Sequence, residues 1–222
     1  MGLLPLAKKS RLYAVVALTP LLLPVPQTRQ SASPEAARSF SPDEGGFFRA
    51  FVVAAVERTH HVVRYDPAYV RIPYPGGDVP SSTGVCTDEV IRAYRAVGVD
   101  LQKEVHQDMV AHPDAYPRRR PTPNGKDGGT DTNIDHRRVA NLMVFFSRQG
   151  KSLPDSLDPR DYLPGDLVAW SLGGPVTHIG IVVNQKSPDS GRWLIVHNIG
   201  QGPKMEDVLF AWKIIGHYRY WR

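Results

Sequence analysis

The hydrophobic period changes once along this 222-residue chain, and that change limits the fold more than any other feature. As far as Phe146 the apolar residues recur at helical spacing. In "GGFFRAFVVAAVERTHHVVRY", Phe47, Phe48, Phe51, Val52, Ala55 and Val56 share a face, which predicts a helix from Gly46 to His61. "CTDEVIRAYRAVG" aligns Val90, Ile91, Tyr94 and Val97. Its first turn holds Thr87, Asp88 and Glu89, where capping oxygens and negative charge are favoured, and Gly98 supplies a stop. "DLQKEVHQDMVAHP" predicts a third helix, ended by Pro113, and "TDTNIDHRRVANLMVFFSRQG" a fourth that closes on Gly150. Beyond it the runs "DLVAW", "HIGIVVN", "RWLIVHN" and "GHYRYW" are short, β-branched and aromatic, with "NQKSPDSGR" as the hairpin loop between the second and third. Helices followed by four antiparallel strands specify an α+β class, with N-terminal helices packed on one side of a C-terminal antiparallel sheet. The Pro- and Gly-rich stretch before Cys86 reads as a loop with a short extended piece at Tyr69–Ile72.

The first residues read as an export signal. Lys8, Lys9 and Arg11 precede an apolar run from Leu12 to Pro26. That run is shorter than the roughly 20 residues of a spanning helix, and Pro20, Pro24 and Pro26 interrupt it. We expect a signal peptide over residues 1–32, a Ser/Pro/Ala-rich linker over 33–44 and one domain over 45–222. The expected location is periplasmic or extracellular, without stable membrane insertion once the signal is removed. Residues 1–32 carry four basic side chains and no acid, so the formal charge of +5 falls to +1 in the remainder. A nucleic-acid footprint needs a clustered basic face, and none is written here. Arg118–Arg120, set among prolines, reads as a solvated loop.

Cys86 is the only cysteine. A free cysteine most often serves as a small buried hydrophobe. Two features favour a nucleophile instead. Its neighbours are small and polar, and a helix N-terminus stabilises thiolate through its dipole and free N–H groups. A lone thiol in an oxidising compartment is also exposed to oxidation. Such a nucleophile needs a base and an orienting group. Among eight histidines, His60, His61, His106 and His112 fall on or near amphipathic helices, whereas His178 ("THIGIVV") and His197 ("LIVHNIG") fall in strands. If those strands pair, the two imidazoles can share a face as cross-strand neighbours. They can equally be satisfied structural histidines. Asn198 points to the other face. A Cys-His-His metal site lacks a fourth ligand, and no cofactor is expected.

"LPGDLVAWSLGGPVTHIGIVV" (Leu163–Val183) with the downstream "IVHN" resembles the strands of NlpC-type, papain-like cell-wall cysteine peptidases. Upstream, "YPGGDVPSSTGVC" matches the approach to their nucleophile, although this chain has "VCTD" where they have "DCSG". The resemblance implies a papain-like NlpC-type fold, Cys86 as nucleophile, His178 as base and His197 as orienter. It also implies an oxyanion site from Tyr74 and the Cys86 backbone N–H. Over nearly the whole domain, "CTDEVIRAYRAVGVDLQKEVHQDM", "DTNIDHRRVANL" and "HNIGQGPKMEDVLFAWKIIGHYRYW" are similar to an exported bacterial group of unknown function, the YijF-like proteins. Asp131, Asn133, Asp135, His136, Arg137 and Arg138 form either a solvated helix start or a cleft wall, with Arg137 or Arg138 reading a carboxylate.

The expectation is a secreted thiol hydrolase acting on amide or peptide bonds, with a peptidoglycan peptide or related amide as partner. Two alternatives stay open: a non-catalytic cell-envelope binding module of the same fold, and an acyltransferase or thioesterase for lipid or small amides. An apolar tunnel beside Cys86 would favour the acyltransferase or thioesterase; a polar groove lined by Asp131–Arg138 would favour the peptidoglycan hydrolase. Oligomeric state is not written in the sequence.

Overall fold

The computed structural model describes residues 42–117 and 129–221. The expected signal peptide, most of the expected linker and Arg118–Arg120 lie outside the described residues. Four helices are formed: α1 (Pro42–Arg58), α2 (Cys86–Ala96), α3 (Leu101–Ala111) and α4 (Val139–Gln149). α1 begins at Pro42, within the stretch read as linker, since proline suits a first helical turn. α2 ends as its glycine requires: Gly98 has φ +86° and its N–H bonds back to Arg95.

The strands are β1 (Arg64–Tyr65), β2 (Thr83–Gly84), β3 (Lys151–Ser152), β4 (Leu167–Gly173), β5 (Val176–Lys186), β6 (Trp193–Asn198), β7 (Pro203–Glu206) and β8 (Lys213–Arg219). β1 and β2 form a two-residue parallel ladder. The other six form an antiparallel sheet in the order β3-β8-β4-β5-β6-β7. The four expected strands are present, and β3 and β7 add to its edges. The extended piece expected at Tyr69–Ile72 is absent. The pairing falls earlier, at Arg64–Tyr65, where β2 offers partners for the backbone.

The α+β plan holds, with one addition. The helices cover one face of the sheet. There Phe51, Ala55, Ile91, Tyr94, Leu142 and Phe146 pack against Ala169, Ile179, Ile181 and Val196. Each fully buried large side chain contributes about 1.5–3 kcal/mol of transfer free energy. The opposite face is also packed: Tyr162, Val168, Trp170, Val182, Ile195 and Leu209 form a second cluster. Trp170 is fully buried and its indole N–H donates to Leu209 O at 2.9 Å. Burial on both faces explains why "HIGIVV" is almost continuously apolar. The "PGD" turn before β4 is an anchor. Buried Asp166 accepts from Leu163 N–H (2.8 Å) and Arg219 Nε (2.7 Å), and bonds His217 Nε2 (2.8 Å). Gly165 there has φ +94°, and a Cβ would meet the Phe48 ring at 2.4 Å.

Candidate active site

β2 runs through Val85 into Cys86, the first residue of α2. Through the ladder Tyr65↔Gly84, Tyr65 reaches the wall of the same cavity as Cys86, about 740 Å³ in volume. Asp88 closes the helix start. Its Oδ2 accepts from Val85 N–H at 2.7 Å, and Arg137 donates to both its oxygens at 2.7 and 2.9 Å. The Cys86 side chain is 4% exposed. Burial pushes its pKa up to about 11, outweighing the N–H groups of Ile179, Thr87 and Cys86 itself, which pull it down. The expected thiolate is therefore a neutral thiol at pH 7. Desolvation wins over the helix terminus.

The structure does bring the two histidines together. His178 Nε2 lies 2.8 Å from His197 Nδ1, and His197 Nε2 lies 3.0 Å from Glu206 Oε2. They are diagonal rather than directly opposite. With Ile181↔Val196 and Val182↔Ile195 in register, Gly180 faces His197, and a Cβ on Gly180 would come within 3.2 Å of the His197 Cβ. The His178 ring stacks on Trp170 at 5.7 Å, and Trp212 meets it edge-on at 5.8 Å. Burial lowers the His178 pKa to about 3, with His197 adding to the effect. His197 is lowered by burial too, against the pull of Glu206. Both rings are neutral at pH 7.

Cys86 is not engaged with this chain of groups. Trp170 pairs with His178 and Ala169 with Ile179. Strand alternation therefore sends Ile179 to the helix side with Cys86, and His178 to the side of Trp170. The sulfur lies against the Ile179 N–H, one residue from His178. No hydrogen bond joins it to an imidazole among the described residues. Asn198, as expected, is on the other face from His197, with its Nδ2 buried and unpartnered.

Two sequence expectations need correction. Tyr74 does not line the cavity; its ring packs on His106 at 5.1 Å. The "YPGG" loop is pinned elsewhere, with Gln102 accepting from Gly77 N–H (2.8 Å) and donating to Pro73 O (2.8 Å). Tyr65 holds the position assigned to Tyr74. Burial raises its pKa, and the nearness of Cys86 and Asp88 adds to the effect, so it stays a donor. The polar segment is also not a helix start. It forms a turn and a 3-10 turn at Asp135–Arg137 before α4 begins at Val139. Asp135 and His136 are buried, and burial lowers His136 to about 4. Asn133 bonds Ile72 N–H (2.9 Å) and Asp131 (2.7 Å). Arg137 also lines the cavity, with its guanidinium paired to Asp88 and donating to Ala68 O at 3.3 Å. Asp131 and exposed Arg138 line the cavity, and the Arg138 side chain makes no hydrogen bond or ion pair among the described residues. Glu206 and Tyr65 escaped the sequence reading because only strand pairing places them. Among the described residues no group of three or more His, Cys, Asp or Glu is arranged to hold a metal.

The chain belongs to the family described as Domain of unknown function (DUF1287), which matches residues 52–220 and so takes in every candidate residue above. It is similar to the uncharacterized protein YijF of Escherichia coli (strain K12), with 52% identity over 156 residues, covering 70% of this chain and 73% of YijF. The likeness to the YijF-like group read from the sequence is thus established. Among the described residues no helix is long and apolar enough to cross a membrane.

Proposed function

We propose that the domain is an exported thiol hydrolase with an NlpC-type, papain-like arrangement, acting on amide bonds of peptidoglycan peptides. One observation carries the reading: a hydrogen-bonded His178–His197–Glu206 chain, with both rings buried, starts one residue from the Ile179 N–H against which the Cys86 sulfur rests, and Cys86 lines an open cavity. The reaction starts from a neutral thiol and a neutral imidazole. The sulfur and the His178 ring stand on opposite sides of β5, so this reading requires the strand to turn at His178 when substrate binds. The thiol proton then passes to His178 Nδ1, the nitrogen not engaged by His197, as the sulfur bonds the carbonyl carbon. The carbonyl electron pair moves onto oxygen, held by the Cys86 N–H and the Tyr65 hydroxyl. Collapse expels the amine, which takes the proton back from His178 and leaves a thioester. Water gives a proton to His178, attacks the thioester and releases the acid and the thiol. Asp131 and Arg138 provide a charged wall suited to stem peptides, which favours this reading over a lipid tunnel.

Digestion of purified muropeptides with wild type and Cys86→Ala, read by mass spectrometry, tests the reading. Cleavage by the wild type alone is expected. Intact muropeptides in both reactions would overturn it in favour of a binding module.

A further inference from the structure

We propose that Glu206 is a positioning residue that sets the tautomer of His178 through His197; the role in catalysis rests on the thiol-hydrolase reading above. β7 pairs with β6 as Ile195↔Glu206 and His197↔Lys204, which puts Glu206 diagonal to His197 on the same face. Its Oε2 lies 3.0 Å from His197 Nε2. An ionised carboxylate can only accept, so His197 carries a proton on Nε2. His197 is buried and neutral, hence its Nδ1 is a bare lone pair. At 2.8 Å that lone pair faces His178 Nε2, which must be the donor. His178 is also neutral, so its Nδ1 is left as the one lone pair able to accept the thiol proton.

Without the carboxylate, the opposite pair of tautomers becomes equally good. His197 would then donate from Nδ1 to His178 Nε2, and His178 would hold its proton on Nδ1. That form cannot act as a base toward the sulfur. Among the described residues no other hydrogen bond reaches either ring. Trp170 and Trp212 contact the rings through their faces and edges, and His178 Nδ1 makes no hydrogen bond among the described residues. The Glu206 side chain is 41% exposed, at the edge of a cavity of about 180 Å³ shared with Gln201, Lys204 and Ile199. Its replacement therefore leaves no buried charge behind.

The test is the ring-nitrogen spectrum of 15N-histidine-labelled protein at pH 7, for wild type, Glu206→Leu and a control, Lys204→Leu. The wild type and the control are expected to show both His178 and His197 protonated on Nε2. Glu206→Leu is expected to shift His197, and with it His178, to a mixture of tautomers. Its kcat on muropeptides should fall roughly 10–100-fold, the usual cost of losing a group that orients a histidine. A wild-type His197 protonated on Nδ1, or unchanged tautomers in Glu206→Leu, would overturn the proposal. A tautomer shift in a protein that cleaves no muropeptide would uphold Glu206 and overturn only the hydrolase reading.

Discussion

Cys86 sits in the first turn of α2, where a thiol normally loses its proton more easily, yet burial holds it near pKa 11. Composition and sequence position singled the residue out; its protonation depends on β5 packing over it, which no local pattern reports. At pH 7 its alkylation by iodoacetamide should be slow and should accelerate with each step toward pH 10, as followed by intact mass. Fast, pH-independent alkylation between pH 6 and 8 would mean an exposed thiolate. The Asp88–Arg137 pair is equally hidden from the sequence, since its partners are 49 positions apart. Both side chains are 2% exposed. Arg137→Ala leaves a buried carboxylate without its cation, and a loss of about 3–5 kcal/mol is expected by urea denaturation. A loss under about 1 kcal/mol would show that water reaches Asp88.

At the scale of elements, the long periodic segments were legible and the short ones were not. α2, α3, β4, β5 and β6 follow their residue patterns closely. β1, β2, β3 and β7 span two to four residues, too few to show a period, and they exist because a neighbouring strand supplies partners. The misplacement of the tyrosine follows directly. "YPGG" is the louder motif, but the β1–β2 ladder puts Tyr65 beside Cys86 instead. The β5–β6 pair makes its own demand at Gly180, where a Cβ would meet Ile195 Cγ2 at 2.7 Å and Val196 O at 3.0 Å. Gly180→Ala should cost about 1–3 kcal/mol through overpacking and lengthen the His178–His197 contact. A crystal structure of the variant with that 2.8 Å bond unchanged would contradict this.

For the molecule as a whole, buried neutral histidines tie folding to pH. His178 and His136 have folded pKa values of about 3 and about 4, below the 6.5 of an unfolded histidine. Between those values the unfolded chain binds more protons, so stability is full above about pH 6.5 and falls as pH drops. Each group contributes a slope approaching about 1.4 kcal/mol per pH unit. The thermal midpoint should therefore decline from pH 6.5 toward pH 4; a flat profile would show that these rings are hydrated in the fold. The same burial keeps Cys86 and His178 neutral at pH 7, and the proposed hydrolase function turns on a covalent step between such groups and a substrate. That step is read most directly by the intact mass of the protein, acid-quenched during incubation with muropeptides. The account predicts an acyl adduct on Cys86 that is absent from Cys86→Ala. Muropeptide cleavage with the protein unmodified, or a protein that neither cleaves nor acquires mass, would contradict it.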